Sequence, residues 1–172
     1  MRTMSVGVIV LFLTILFACG KVGALDCDNN EVKSRVLAEF ATQLRDNFAE
    51  KINRNIKASI DAGDTALKVF NVKGYENLKA ATNKSDLNGS AKMAQEWING
   101  EMTALEAAIS KSTLTEIRTI SKDDGVKKCD CEGVVKGEGF NDVIEKYSVR
   151  DTSEGLRVEL TGEGSYQASP KK

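Results

Sequence analysis

Between residues 32 and 60 an apolar side chain recurs at every fourth position: Val32, Val36, Phe40, Leu44, Phe48, Ile52, Ile56 and Ile60. The intervening positions are mostly polar or charged, and this spacing predicts a long amphipathic helix. Asp28 or Asn29 supplies an N-cap, whose side-chain oxygen accepts from an otherwise unpaired amide of the first turn. Gly63 supplies a left-handed C-terminal stop. Four residues advance 400° on a helix of 3.6 residues per turn, so the apolar stripe drifts by about 40° at each step. Over its whole length the stripe turns too far to face one partner. A bend or break is therefore expected near Asp46-Asn47.

The pattern weakens from 64 to 89. Ala66, Leu67, Val69, Phe70 and Val72 form an apolar cluster that fits a short strand or a helical turn equally well. Asn71, Gly74, Asn83, Asp86, Asn88 and Gly89 read as loop. Ser90 then opens a second helix to about Ser112, with Met93, Trp97, Ile98, Met102, Leu105, Ala108 and Ile109 at steps of three and four. Such a stripe usually packs on a core. Its aromatic and thioether side chains make Trp97, Met93 and Met102 the candidate interaction surface.

After Thr113 the period shortens to two. Strands are expected over 114–121, 126–136 and 143–149, followed by a last strand in which Leu156, Val158 and Leu160 share one face while Arg157, Glu159 and Thr161 face outward. Turns fall at 122–125, where Gly125 would take a positive φ, at 137–139 and at 152–155. The fold class is α+β: N-terminal helices packed on one face of a C-terminal antiparallel β-meander of three to four strands. A single domain spans 27–162, mainly helical over 27–112 and mainly β over 113–162. The polar tail 163–172 lacks core residues and is expected to be disordered.

The first residues carry a different kind of information. Arg2 precedes an uncharged apolar run over 6–17, too short to span a bilayer as a helix and suited to an export signal. The run ends in Leu16-Phe17-Ala18-Cys19-Gly20, which resembles the lipobox of bacterial lipoproteins. That resemblance implies a signal peptide over 1–18, acylation of Cys19 and a tether over 19–26. Acyl chains, at about 0.8 kcal/mol per buried methylene, would hold the protein on a membrane. Gly20 after the cysteine, rather than Asp, implies the outer membrane, facing the periplasm. The alternative is ordinary cleavage after Val22-Gly23-Ala24, which would release a soluble secreted protein.

The chain of 172 residues carries 24 basic and 25 acidic side chains and no histidine, for a net charge of -1. Loss of Arg2 with the signal shifts this only to -2. Near balance, without blocks of one sign, argues against a nucleic-acid partner, which calls for a basic face. Without histidine the commonest general base and the commonest metal ligand are both missing. The carboxylates of Glu31 and Asp123-Asp124 are of a type able to do acid–base work, but Asp123-Asp124 beside Gly125 reads as a solvated turn. No cofactor, no metal and no enzymatic activity are expected.

Of the four cysteines, Cys27, Cys129 and Cys131 remain once Cys19 is acylated or cut away. In an oxidising compartment Cys27 should close a loop of about a hundred residues with one of the other two. Cys129 and Cys131 point to the same face of a strand, so either can approach it. A vicinal redox pair or an intermolecular bridge is the alternative.

Cys27-Asp28-Asn29-Asn30-Glu31-Val32 at a helix start, Ile117-Arg118-Thr119-Ile120-Ser121-Lys122-Asp123 in a strand and Cys129 in the next strand resemble a pattern in small, uncharacterised Gram-negative-type lipoproteins. The resemblance implies a helix-to-strand disulfide between Cys27 and Cys129, with Cys131 left as a small buried residue. It carries no activity. The functional expectation is a membrane-anchored, noncatalytic protein-binding module of the inhibitor, immunity or exclusion type, whose partner is an envelope or exported protein. The alternative is a structural or assembly component of the envelope that acts through helix self-association.

Overall fold

The computed structural model describes residues 25–162. The signal run, Cys19, the tether up to residue 24 and the tail 163–172 lie outside the described residues. Three α-helices precede four strands: α1 (Asn30–Asp61), a 3-10 turn (Thr65–Phe70), α2 (Tyr75–Thr82), α3 (Gly89–Ser110), β1 (Thr113–Asp123), β2 (Lys128–Lys136), β3 (Val143–Thr152) and β4 (Gly155–Leu160). The strands form one antiparallel sheet in chain order, β1-β2-β3-β4. The α+β class and the helices-then-sheet order are those that the periodicity predicts. No described helix is long and apolar enough to cross a membrane.

α1 begins as expected, with the Asn29 side chain accepting from the Glu31 amide at 2.8 Å. It ends in a Schellman motif. Gly63, at φ 107°, donates to the Ile60 carbonyl, and Asp64 reaches back to the Ser59 carbonyl. The expected interruption near Asp46-Asn47 is absent, because α1 is helical throughout its 32 residues. The drift of the stripe is accommodated by two partners instead of one. Val32, Val36 and Phe40 pack under the sheet with Leu114, Val135, Tyr147, Val149 and Val158. Ala49, Ile52 and Ile56 pack against Leu67, Phe70, Leu78, Ala91 and Ile98 of the other helical segments. Sixteen residues separate Val36 from Ile52, which places them about 160° apart around the axis. The segment expected to break is where α1 passes from one core to the other.

Within the stretch 64–89 the apolar cluster lies in the 3-10 turn and its C-terminal flank, 75–82 is helical, and Asn71, Gly74, Asn83, Asp86 and Asn88 lie in loop as expected. Asp64 caps the 3-10 turn by accepting from the Ala66 amide, and α2, which sequence punctuation hid as loop, buries Tyr75, Leu78 and Ala81. Ser90 does not cap α3. Asn88 occupies that position, and the Ser90 hydroxyl donates to the Asp64 carboxylate at 2.9 Å, tying the two helical starts together.

In the sheet, the face under α1 carries Cys129, Cys131 and Val135 of β2 and Tyr147 and Val149 of β3, with Val158 of β4 beside them. Glu145 shares that face, opposite Gly133, and is fully buried. A Cβ on Gly133 would meet the Leu114 side chain at 2.9 Å and that of Ile117 at 3.3 Å, so these two β1 side chains fold over the glycine. At the first hairpin the positive φ falls on Lys127, at 47°, and not on Gly125. The Asp123 carboxylate accepts from the Gly125 and Val126 amides, which shapes this turn without a left-handed glycine.

Candidate functional site

Because α1 serves two cores, an apolar seam is left where they meet. Leu44 packs on the sheet core and Phe48 on the helical core, and both remain partly exposed. Across from them α3 contributes Ala104, Leu105 and Ala108. Phe140, from the β2–β3 loop, closes one end. The Phe140 ring lies 5.8 Å from that of Phe40, and a side chain on Gly137 would run into it. Together these residues line a groove of about 260 Å³ whose polar groups, among them Asn47, Lys51, Glu101 and Glu138, lie beside an apolar lining.

Trp97 and Met93 extend this surface. Steps of four, four, three and four along α3 place Met93, Trp97, Glu101, Ala104 and Ala108 on one face. Met93 is 67% exposed and Trp97 46% exposed. Met102, the third member of the expected surface, does not belong to it. At 7% exposure it is buried in the helical core with Ile98, turned away from the face that carries Met93 and Trp97. The sequence pattern offered Trp97, Met93 and a groove beside their helix, but not the residues of its other wall, which lie 50 residues or more away on α1. The signal that could have found it was the stripe drift itself, since a helix that changes partners must expose part of its stripe at the change.

The sulfur cluster differs from expectation. Cys27 is bonded to Cys131, with Cα atoms 5.9 Å apart, and Cys129 is free and buried. The position of α1 over the sheet explains the choice. The residues before the helix run along β2, so that Cys27 lies over Cys131 and Tyr147, whose hydroxyl donates to the Cys27 carbonyl at 3.1 Å. Leu25 lies over Cys129, whose thiol faces the Leu25 carbonyl at 3.4 Å. The Thr119 hydroxyl, opposite Cys131 on β1, donates to the Cys27 sulfur. Burial raises the Cys129 thiol pKa, which disfavours the reactive thiolate. Burial likewise pushes the Tyr147 hydroxyl up to about 12.

The most perturbed carboxylate is Glu106, which sequence reading overlooked. The Arg45 guanidinium grips it in a two-pronged contact at 2.8 and 2.7 Å, and the Tyr75 hydroxyl donates to it at 2.7 Å. Arg45 also sits 5.9 Å from the centre of the Tyr75 ring. The hydrogen bonds from Arg45 lead the lowering of the Glu106 pKa to about 2, and burial raises that of Tyr75. One residue each from α1, α2 and α3 thus makes a clip at the edge of the helical core. It opens on a shallow depression lined by Thr42, Asp46, Gly74 and Asn77.

Asp123 closes β1 and Asp124 opens the turn, paired to Lys122 at 3.1 Å. Among the described residues no group of three or more histidine, cysteine, aspartate or glutamate side chains is arranged to hold a metal ion. The chain matches no protein-family model, no curated protein and no solved structure.

Proposed function

We propose that the protein is a noncatalytic binding module of the bacterial cell envelope, tethered through acyl chains on Cys19, and that it holds an exported protein in the groove between α1 and α3. The observation that carries this reading is the alignment of exposed Trp97 and Met93 with an apolar groove on one helix face. Large apolar side chains clustered at the surface mark interaction sites, and tryptophan is enriched among the residues that dominate binding energy. An amphipathic helix or apolar loop of the partner fits such a groove. Most of the drifting α1 stripe, which suggested self-association of helices, packs within the chain on its two cores, and Leu44 and Phe48 are left partly exposed at the groove.

Two measurements test the two parts of the proposal. The intact mass of the native protein should correspond to a chain beginning at acylated Cys19, with one alkylatable thiol under denaturing conditions before reduction and three after. An unacylated chain starting at Leu25 would refute the tether. For binding, a photo-crosslinker at Ala104 should capture one stoichiometric exported protein, and Trp97→Ala should abolish that capture. Loss of neither partner nor yield in Trp97→Ala would remove the groove from the proposal.

A further inference from the structure

We propose that β4 is a self-complementary edge through which two copies of this chain pair, joining their sheets antiparallel across a two-fold axis at Val158. The sheet has two edges, β1 and β4, and they differ. β1 is protected: its register breaks between Thr115 and Arg118 and again between Thr119 and Ser121, with Glu116 at φ 53°. Such bulges twist an edge away from further pairing. The pairing of β4 with β3 is regular throughout, and among the described residues no strand covers its outer side.

The backbone of that outer side is set by the ladder. The Thr161 amide donates inward to the Lys146 carbonyl at 2.7 Å. In an antiparallel strand the direction alternates, so Leu156, Val158 and Leu160 present their N–H and C=O groups outward. The sequence Leu156-Arg157-Val158-Glu159-Leu160 is symmetric in chemistry about its centre. Pairing with a second copy about Val158 sets Val158 against Val158, Leu156 against Leu160 and Arg157 against Glu159, each of the last two occurring twice. The Arg157–Glu159 pairs fall at the positions without ladder hydrogen bonds, where opposing side chains approach most closely. Both residues are exposed, and within one chain they lie 2.9 Å apart, so opposite charge is available to both copies. Leu156 and Leu160 are only partly buried. They border a depression of about 600 Å³ between β4 and the Arg35, Ala38, Glu39 and Gln43 side of α1. The leucines of the second copy would lie at this depression and cover those of the first. An interface of this kind is isologous, as closed dimers require.

Charge reversal separates this interface from any other. Sedimentation equilibrium of the full chain, density-matched where detergent is present, should give a dimer mass that dissociates on dilution. Arg157→Glu and Glu159→Arg each set like charges against each other twice and should each give the monomer mass. Mixing these two monomeric variants should restore the dimer, because each supplies the charge the other now needs. The double variant should dimerise by itself. Unchanged thermal unfolding of the single variants shows that the fold is intact. A monomer mass for the unaltered chain at every concentration, a dimer that survives the single reversals, or failure of the mixture to reassociate would each overturn the proposal.

Discussion

The two cores of this molecule rest on the same helix but are closed in different ways. The sheet core joins residues from both ends of the described chain and is fastened by the Cys27–Cys131 bond across 104 positions. Its contacts are therefore non-local, and much of the entropy of bringing them together is removed in advance by the disulfide. The helical core is assembled from segments that follow one another between Ala49 and Met102. It has no covalent fastening and relies on close packing, with the Arg45–Glu106–Tyr75 clip at its margin. The difference teaches that α1 is a shared wall and that the exposed groove is the joint between two separately closed units.

The comparison is broken most directly at the disulfide. Cys27→Ala should cost up to about 4.7 kcal/mol on the chain-entropy model for a loop of about a hundred residues, read from the denaturant midpoint. Amide exchange should rise in β2 and β3 before α2 and α3. Equal loss of protection everywhere would mean that the two cores melt as one unit. The converse is Phe70→Ala in the helical core, where Phe70 is wholly buried. Its expected cost is about 3–5 kcal/mol, with α2 and α3 losing exchange protection first and the strands retaining it.

Smaller changes sharpen the distinction. Glu106→Gln removes an ion pair that is partly open to water, with a cost of about 1 kcal/mol after screening. It should also alter the acid response. Arg45 lowers the Glu106 pKa from 4.5 to about 2, so its contribution is present above about 4.5 and is lost as pH falls through about 2. Thermal melts between these values should fall less steeply for the variant than for the unaltered protein. Smallest of all is Trp97→Ala, expected to change stability by no more than about 0.5 kcal/mol because the ring stands at the surface. A large loss in the same melts would place Trp97 in the helical core instead of on a binding surface.

The local features were legible because they depend on neighbours in the chain. The Asn29 cap, the Gly63 stop, the alternation of Leu156, Val158 and Leu160 and the turn between Thr152 and Gly155 all follow from residue type and short spacing. α2 was hidden because its eight residues are too few to show a period among polar neighbours. Glu145 was in phase with Val143, Tyr147 and Val149, yet a carboxylate is not expected on a buried face. Of the candidate site, Trp97 and Met93 were visible as exposed members of a stripe. Met102 was misassigned because spacing places it on a helix but does not say which side meets the core.

By itself the sequence determined the fold class, the order of the two long helices and the four strands, the main cap and stop of α1 and the alternating face of β4, since each is governed by local backbone preference and by the period of apolar side chains. Only the tertiary structure decided that α1 runs unbroken through two cores, that Cys27 meets Cys131, and that Arg45, Tyr75 and Glu106 converge. These depend on where α1 sits along and above the sheet, a position fixed by packing between residues up to a hundred apart, which no local pattern encodes.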